Sequence, residues 1–141
     1  MIKVWVDSSY DDKRNIAGIG IVVQDGTKRR TYSNWTKARS NNAGELIAIH
    51  IGSILTHGQG IIYTDSQTAI NYINKQIKDK PRTKDQWLNH KECEYWACQI
   101  RRRGIKVEKI KAHQHNFQTH SIGNRLSDLL AAEGRGKFYE R

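Results

Sequence analysis

Cysteine, proline and long apolar runs are scarce in this chain of 141 residues, which has two cysteines and one proline. Cys93 and Cys98 fall in a predicted helix at a spacing that places them on different faces, which argues against a disulfide between them. Unpaired thiols fit a reducing, intracellular setting, so we predict a cytoplasmic protein. No segment approaches the roughly 20 apolar residues that a membrane-spanning helix needs, and no membrane partner is expected. The first residues, MIKVWVDSSY, also lack the apolar run and cleavage site of a signal peptide.

Acidic residues are scarce as well: 14 Asp and Glu stand against 24 Lys and Arg, which gives a formal net charge of +10. Such a positive excess favours polyanionic partners, with nucleic acid ahead of an acidic membrane surface. Four carboxylates nevertheless lie beside apolar segments, where an unpaired negative charge is costly to bury; they are Asp7, Glu45, Asp65 and Asp128. If the fold gathers them, their repulsion requires a cation, and hard divalent metals with oxygen ligands are the usual solution.

The sequence begins with the alternating pattern of β-strands and then changes to helices separated by short strands. We predict strands at 2–7, 16–24 and 28–36, with a turn at 8–15 and a hairpin at Asp25-Gly26. We then predict a helix from Asn41 or Asn42 to about His57, a strand at 60–65, a helix at 66–76, a basic loop at 75–85, a helix at 85–103, a strand at 105–111, a loop at 112–123, a helix at 124–133 and a frayed tail at 134–141.

Strands that alternate with helices imply parallel neighbours and helices that cover the sheet. We therefore predict an α/β fold, in which a five-stranded mixed sheet of three antiparallel strands and two parallel additions is covered by helices. No internal repeat or clear linker interrupts the sequence, so residues 1–141 are interpreted as one domain.

The four carboxylates have a shared chemical interpretation. Asp65 follows a predicted parallel strand, and the carboxyl ends of such strands are where α/β sheets bind ligands. Each residue alone also has an ordinary explanation: a turn for Asp7, a helix dipole for Glu45, a cap for Asp65 and a surface charge for Asp128. Together they suit Mg²⁺ or Mn²⁺, whereas the absence of a Cys/His cluster argues against zinc. Two such metals and a basic surface indicate a nuclease.

With these motifs in this order, the chain resembles the type 1 ribonuclease H family over nearly its whole length. The strongest local matches are SNNAGEL, which contains Glu45, and YTDSQ, which contains Asp65. The resemblance implies a ribonuclease H-like fold and cleavage of the RNA strand of RNA–DNA hybrids with two Mg²⁺ ions, or Mn²⁺, to leave 5′-phosphate and 3′-hydroxyl ends. It assigns the metal-binding positions to Asp7, Glu45, Asp65 and Asp128.

The resemblance also implies a histidine, in the loop after the last strand, that assists proton transfer or product release. Three histidines are available there, His113, His115 and His120. We favour His113, because KAHQ follows the strand as the family's Lys-Gly-His does, and interpret the other two as solvated loop residues. A histidine pKa suits proton transfer near neutral pH.

Further residues are assigned to the hybrid substrate by the same resemblance. Asn42 and Gln67 are expected in the minor groove, and Asn41 is expected in a DNA-phosphate pocket with Arg39 or Ser40. The full substrate-binding set is Ser9, Arg39, Asn41, Asn42, Gln67, Lys80 and Arg82. The basic loop containing Lys80 and Arg82 could equally be a solvated face. Trp87 and Trp96 are assigned to the core ahead of base stacking.

The sequence departs from the family pattern in two motifs. It has Asp7-Ser8-Ser9 where Asp-Gly-Ser is usual, and Asn124-Arg125-Leu126-Ser127-Asp128 where Asn-Glu-x-Ala-Asp is usual. Both changes retain the metal ligands. The alternatives are a non-catalytic module that binds hybrids or duplexes, and a nuclease of the same fold that cuts DNA or structured RNA. A monomer is expected, and both a free-standing enzyme and a domain of a larger reverse-transcription protein remain open.

Overall fold

A computed structural model describes residues 1–111 and 119–140 of the chain. The described ranges contain five strands and four helices. In chain order these are β1 (Ile2–Asp11), β2 (Ile16–Asp25), β3 (Lys28–Lys37), α1 (Asn41–Leu55), β4 (Ile61–Thr64), α2 (Gln67–Ile73), α3 (Lys84–Arg103), β5 (Lys106–Lys109) and α4 (Thr119–Tyr139). None of these helices is both long enough and apolar enough to cross a membrane.

The strands form one mixed sheet in the order β3-β2-β1-β4-β5. The first three strands pair antiparallel, as their short connections predict, while β4 pairs parallel with both β1 and β5. This confirms the predicted sheet. β1 pairs with β2 without interruption from Ile2 opposite Asp25 to Asp11 opposite Ile16.

The two faces of the sheet bury different residues, because successive side chains of a strand point in opposite directions. Val4 and Val6 pack with Leu46 of α1 in the larger core cluster. Trp5 points to the other face, where it is 2% exposed and packs with Val22 and Tyr63. The long helix α4 covers this second face, so the central strand β1 is buried on both sides.

Most element boundaries lie within about three residues of the sequence predictions, and two elements, β1 and α4, differ by more. β1 continues to Asp11, where a turn was expected at residues 8–15, because every residue to Asp11 pairs with β2. Helix α4 runs from Thr119 to Tyr139, which is longer than the predicted 124–133 and includes most of the segment expected to be frayed. The last turns of α4 have tertiary partners, which stabilise a helix more than its local propensity does.

Those partners lie on the edge strand β3 and at the end of β1. Phe138 meets the ring of Trp35 edge-on with centroids 4.9 Å apart, and Lys137 Nζ donates to the carbonyl of Ser33 at 2.6 Å. Tyr139 donates a hydrogen bond to the carboxylate of Asp11. The charged composition of the C-terminal segment gave no sign of these contacts.

Helix α3 is close to its predicted range, and Thr83 and Gly104 cap it. The assignment of Trp87 to the core is wrong, because this side chain is 50% exposed. Trp96, by contrast, is half-buried against the core as expected. Cys93 is buried, Cys98 is half-buried, and both are free thiols, as predicted.

Candidate active site

Asp7 and Asp65 are brought together by the parallel pairing of β1 with β4. The last residues in register are Trp5 and Tyr63, and each aspartate follows two positions later on its own chain segment. Because paired parallel strands advance together, the two carboxylates leave the sheet at the same level. One carboxylate oxygen from each of Asp7, Glu45 and Asp65 lies within 4.8 Å of the others.

Glu45 joins this pair because α1 approaches β1 very closely. A Cβ placed on Gly44 would lie 2.3 Å from Ser8 Oγ and 2.8 Å from Ala17 Cβ, so only glycine allows this contact. The helix begins with Ser40 as its N-cap, which accepts a hydrogen bond from the backbone N–H of Ala43 at 3.0 Å. The predicted cap, Asn41 or Asn42, is therefore wrong by one or two positions.

Asp128 reaches the same place through a second close contact. Gly20 lies opposite Asp7 in the pairing of β1 with β2, and a Cβ placed on it would lie 2.0 Å from the carbonyl oxygen of Ser127. The backbone of α4 consequently rests directly on β2, and the next residue, Asp128, lines the cavity that holds the other three carboxylates. Unlike Asp7 and Glu45, which are buried, Asp128 is exposed.

Two of the crowded carboxylates, Asp7 and Glu45, resist ionisation. Burial, followed by the negative charge of Asp65, raises the pKa of Asp7 to about 7, although the N–H of Ser8 donates to Asp7 Oδ1 at 2.9 Å and opposes the increase. A hydrogen bond with Asp128 and the charge of that residue raise it as well. Burial, then the charges of Asp7 and Asp65, raise the pKa of Glu45 well above its ordinary value.

A divalent cation fits this arrangement. Glu45 Oε2 is buried and has no hydrogen-bond partner within residues 1–111 and 119–140. A buried, unpartnered carboxylate oxygen is costly, and a cation would relieve both that cost and the mutual repulsion. The cluster offers carboxylate oxygens and neither thiol nor imidazole, a donor set that suits Mg²⁺ or Mn²⁺.

The cavity around the carboxylates has a volume of about 680 Å³. Of the seven residues assigned to the substrate, Asn41 lines it. The sequence interpretation missed four lining residues, namely Ser8, Asn124, Arg125 and Leu129. Helical spacing could have identified those on α4, because Asn124 and Arg125 lie one turn before Asp128 on the same helix.

The other expected substrate residues lie outside this cavity. Arg39 Nε is 3.7 Å from a carboxylate oxygen of Glu92, beside a separate cavity. Gln67 is exposed and donates to Asn71 at 2.9 Å. Lys80 and Arg82 line a third cavity, between the loop before α3 and α3 itself. Ser9 and Asn42 are half-buried near the carboxylate-bearing segments.

The histidine assignments have different outcomes. His113 and His115 lie outside the residues that the structure describes. His120 belongs to α4 and is not a solvated loop residue: it accepts a hydrogen bond from Trp5 Nε1 at 3.2 Å, and its ring lies 4.4 Å from that of Tyr63. These contacts hold His120 between α4 and the sheet, which is a structural role.

Comparison with known proteins agrees with this geometry. The model of the family described as RNase H matches residues 1–135. The Ribonuclease H of Bordetella avium strain 197N is 22% identical over 144 residues, which cover 95% of this chain and 90% of that protein. RNase H1 from Halobacterium salinarum NRC-1 has a TM-score of 0.64 at 14% identity, covering 96% of this chain and 98% of that one. LC11-RNase H1 in complex with an RNA/DNA hybrid has a TM-score of 0.59 at 16% identity and 99% coverage of both chains. At such identities the two structures show a shared fold.

Proposed function

We propose that this chain, which belongs to the RNase H family, is an endonuclease that hydrolyses the RNA strand of RNA–DNA hybrids. The observation that carries the proposal is the convergence of Asp7, Glu45 and Asp65, with Asp128 lining the same cavity. Further support comes from LC11-RNase H1, a protein of the same fold whose structure was solved with an RNA/DNA hybrid. The net charge of +10 suits a polyanionic substrate.

The four carboxylates would hold two divalent metal ions, Mg²⁺ or Mn²⁺. When bound, such ions supply Lewis-acid polarisation of the phosphate and a more acidic water for attack on phosphorus. Asp7 and Asp65, which leave adjacent strands at one level, would bind both ions. Glu45 and Asp128 would each contribute to one of them from opposite faces of the sheet.

The chain's own groups prepare this site. The N–H of Ser8 orients the Asp7 carboxylate, and the Ser40 cap fixes the start of α1. Glu45 follows the first turn of this helix and lies close to Asp7. Hydrolysis breaks the bond between phosphorus and the 3′-oxygen, so the products would be a 5′-phosphate and a 3′-hydroxyl. We propose His113 as the group that assists proton transfer.

Substrate contacts beyond the carboxylates are also proposed. Asn41, at the exposed start of α1, would donate to the substrate from the rim of the cavity. The more distant residues would hold the DNA strand and the minor groove; they are Ser9, Arg39, Asn42, Gln67, Lys80 and Arg82. A hybrid requires separate recognition of its two strands, because the 2′-hydroxyl distinguishes RNA from DNA.

The substrate can be tested directly. End-labelled RNA–DNA hybrid, double-stranded RNA and double-stranded DNA are incubated with the wild-type protein in Mg²⁺ or in EDTA. We expect cleavage of the RNA strand of the hybrid, in Mg²⁺ only. Binding without cleavage would instead indicate a hybrid-binding module, and preferential cutting of DNA or double-stranded RNA would indicate a nuclease of different specificity.

A further inference from the structure

The active-site cavity contains one cationic side chain among the described residues that line it, Arg125. Its neighbours in the cavity include the four carboxylates, so this arginine lies where the local potential is otherwise negative. Arg125 occurs on α4 three residues before Asp128, and this spacing places both on one face of the helix. The guanidinium therefore lies at the rim of the cavity, next to Asp128, which is the most exposed of the four carboxylates.

Several arginines of the described residues are held by structural partners, whereas Arg125 is not. Arg14 pairs with Asp11 at 3.2 Å, Arg101 donates to the carbonyl of Tyr72 at 3.1 Å, and Arg135 donates to the carbonyl of Tyr10 at 3.1 Å. Within the described ranges Arg125 is exposed and forms no ion pair, even with Asp128. Its five donors are free for a ligand.

We propose that Arg125 binds a phosphate of the substrate strand beside the one that is cleaved, an inference that rests on the proposed function. A polyanion entering a cavity lined by four carboxylates is repelled until cations compensate. The planar guanidinium presents parallel N–H groups that match two phosphate oxygens, which makes arginine suited to this role. Arg125 is thus a substrate-binding residue at the entrance, separate from the carboxylates that carry the chemistry.

Binding measured without metal isolates this role. The dissociation constant of a fluorescent RNA–DNA hybrid is determined by anisotropy in EDTA at several KCl concentrations for wild type, Arg125→Gln, Arg125→Lys and Arg102→Gln. Arg102 is an exposed arginine in the last turn of α3, so it controls for loss of one positive charge. Circular dichroism establishes that each variant is folded.

We expect Arg125→Gln to bind the hybrid about fivefold more weakly than wild type. The slope of log K against log salt concentration should be smaller in magnitude by about 1 for this variant. Arg125→Lys should retain the slope, and Arg102→Gln should match wild type. Unchanged affinity and slope in Arg125→Gln would overturn the inference, and so would an equal loss in Arg102→Gln.

Failure of this inference is distinguishable from failure of the proposed function. Wild-type cleavage of the hybrid in Mg²⁺ is measured in parallel. If wild type cleaves the hybrid but Arg125→Gln binds as tightly as wild type, the role of Arg125 alone is refuted. If wild type cleaves no hybrid, the proposed function is refuted, whereas the binding comparison still decides whether Arg125 contacts phosphate.

Discussion

The two sides of the carboxylate cavity are built in different ways. On the side formed by β1, β4 and α1, Asp7 and Glu45 are buried, and their positions follow from strand register and a close helix contact. On the α4 side, Asp128 and Arg125 are exposed and depend on how one helix rests on the sheet. The difference indicates a buried, charge-crowded half that would supply three of the four metal ligands and an exposed half that would supply the fourth and meet the substrate.

Substitution of a carboxylate on the β1, β4 and α1 side of the cavity should have the largest effect on cleavage. Asp65→Asn keeps the size of the side chain but removes a ligand and a charge from the cluster. We therefore expect hybrid binding to persist while cleavage falls by more than about 100-fold. Loss of a group that merely supports a metal ligand already costs about 10–100-fold. The rate of RNA-strand cleavage in Mg²⁺ measures this. Full activity in Asp65→Asn would break the assignment.

The buried side of the cavity, with Asp7 and Glu45, should make the stability of the metal-free protein depend on pH. The raised pKa values mean that Asp7 and Glu45 bind protons more tightly in the folded than in the unfolded chain. The contribution of Asp7 to stability is therefore complete below its ordinary pKa of 3.8 and is lost as pH rises through about 7. The contribution of Glu45 changes in the same direction. We expect that loss to be on the order of a few kcal/mol.

Thermal unfolding in EDTA at pH 5 and pH 8 measures this effect against Asp7→Asn as the control. Wild type should lose more stability than the variant between these pH values, and added Mg²⁺ should restore it at pH 8 by binding the folded state. If wild type instead gains stability relative to Asp7→Asn as pH rises, the pKa of Asp7 is not raised by folding.

The close contact between β2 and α4 can be disrupted by a substitution at Gly20. A methyl group at residue 20 would lie 2.0 Å from the carbonyl oxygen of Ser127, so Gly20→Ala must displace α4 and with it Asp128. We expect a loss of about 1–3 kcal/mol in the free energy of unfolding and reduced cleavage.

Gly136→Ala is the matched control for that change, because the added methyl group meets nothing within 4 Å. This variant should be as stable as wild type or up to ~1 kcal/mol more stable, since alanine favours the helix. Equal stability of both glycine variants, by denaturant unfolding, would refute the close contact.

The smallest effect is expected from the exposed carboxylate. Asp128→Asn alters a ligand that water can partly replace, so cleavage should fall by about tenfold, which is less than for Asp65→Asn. Raising the Mg²⁺ concentration should recover more activity in Asp128→Asn than in Asp65→Asn. The reverse ranking of the two variants would show that the two sides of the cavity do not differ in the way described.

Much of the fold could be predicted because its signals are local. Alternating residues in β1 to β3, and strands separated by helices after them, were sufficient for the mixed sheet. Asp65 was placed by its position after a short apolar strand. The full length of α4 could not be predicted, because the pairing of Phe138 with Trp35 joins segments far apart in sequence.

The candidate site was predictable in its charges but not in its construction. The roles of Gly44 and Gly20 depend on close approaches between elements that leave no space for a Cβ, and no sequence pattern encodes these. Ser40 as the cap was missed because Asn41 and Asn42 are equally good capping residues. Arg125 was visible only as a departure from a motif until the cavity placed it among the carboxylates.

If these carboxylates form a divalent metal site, the protein should bind Mn²⁺ through them. Electron paramagnetic resonance counts the free ion as Mn²⁺ is titrated into wild type and Asp65→Asn. We expect saturable uptake of Mn²⁺ by wild type and strongly weakened uptake by Asp65→Asn. Equal uptake by the two proteins, or none by wild type, would contradict the assignment of this metal site.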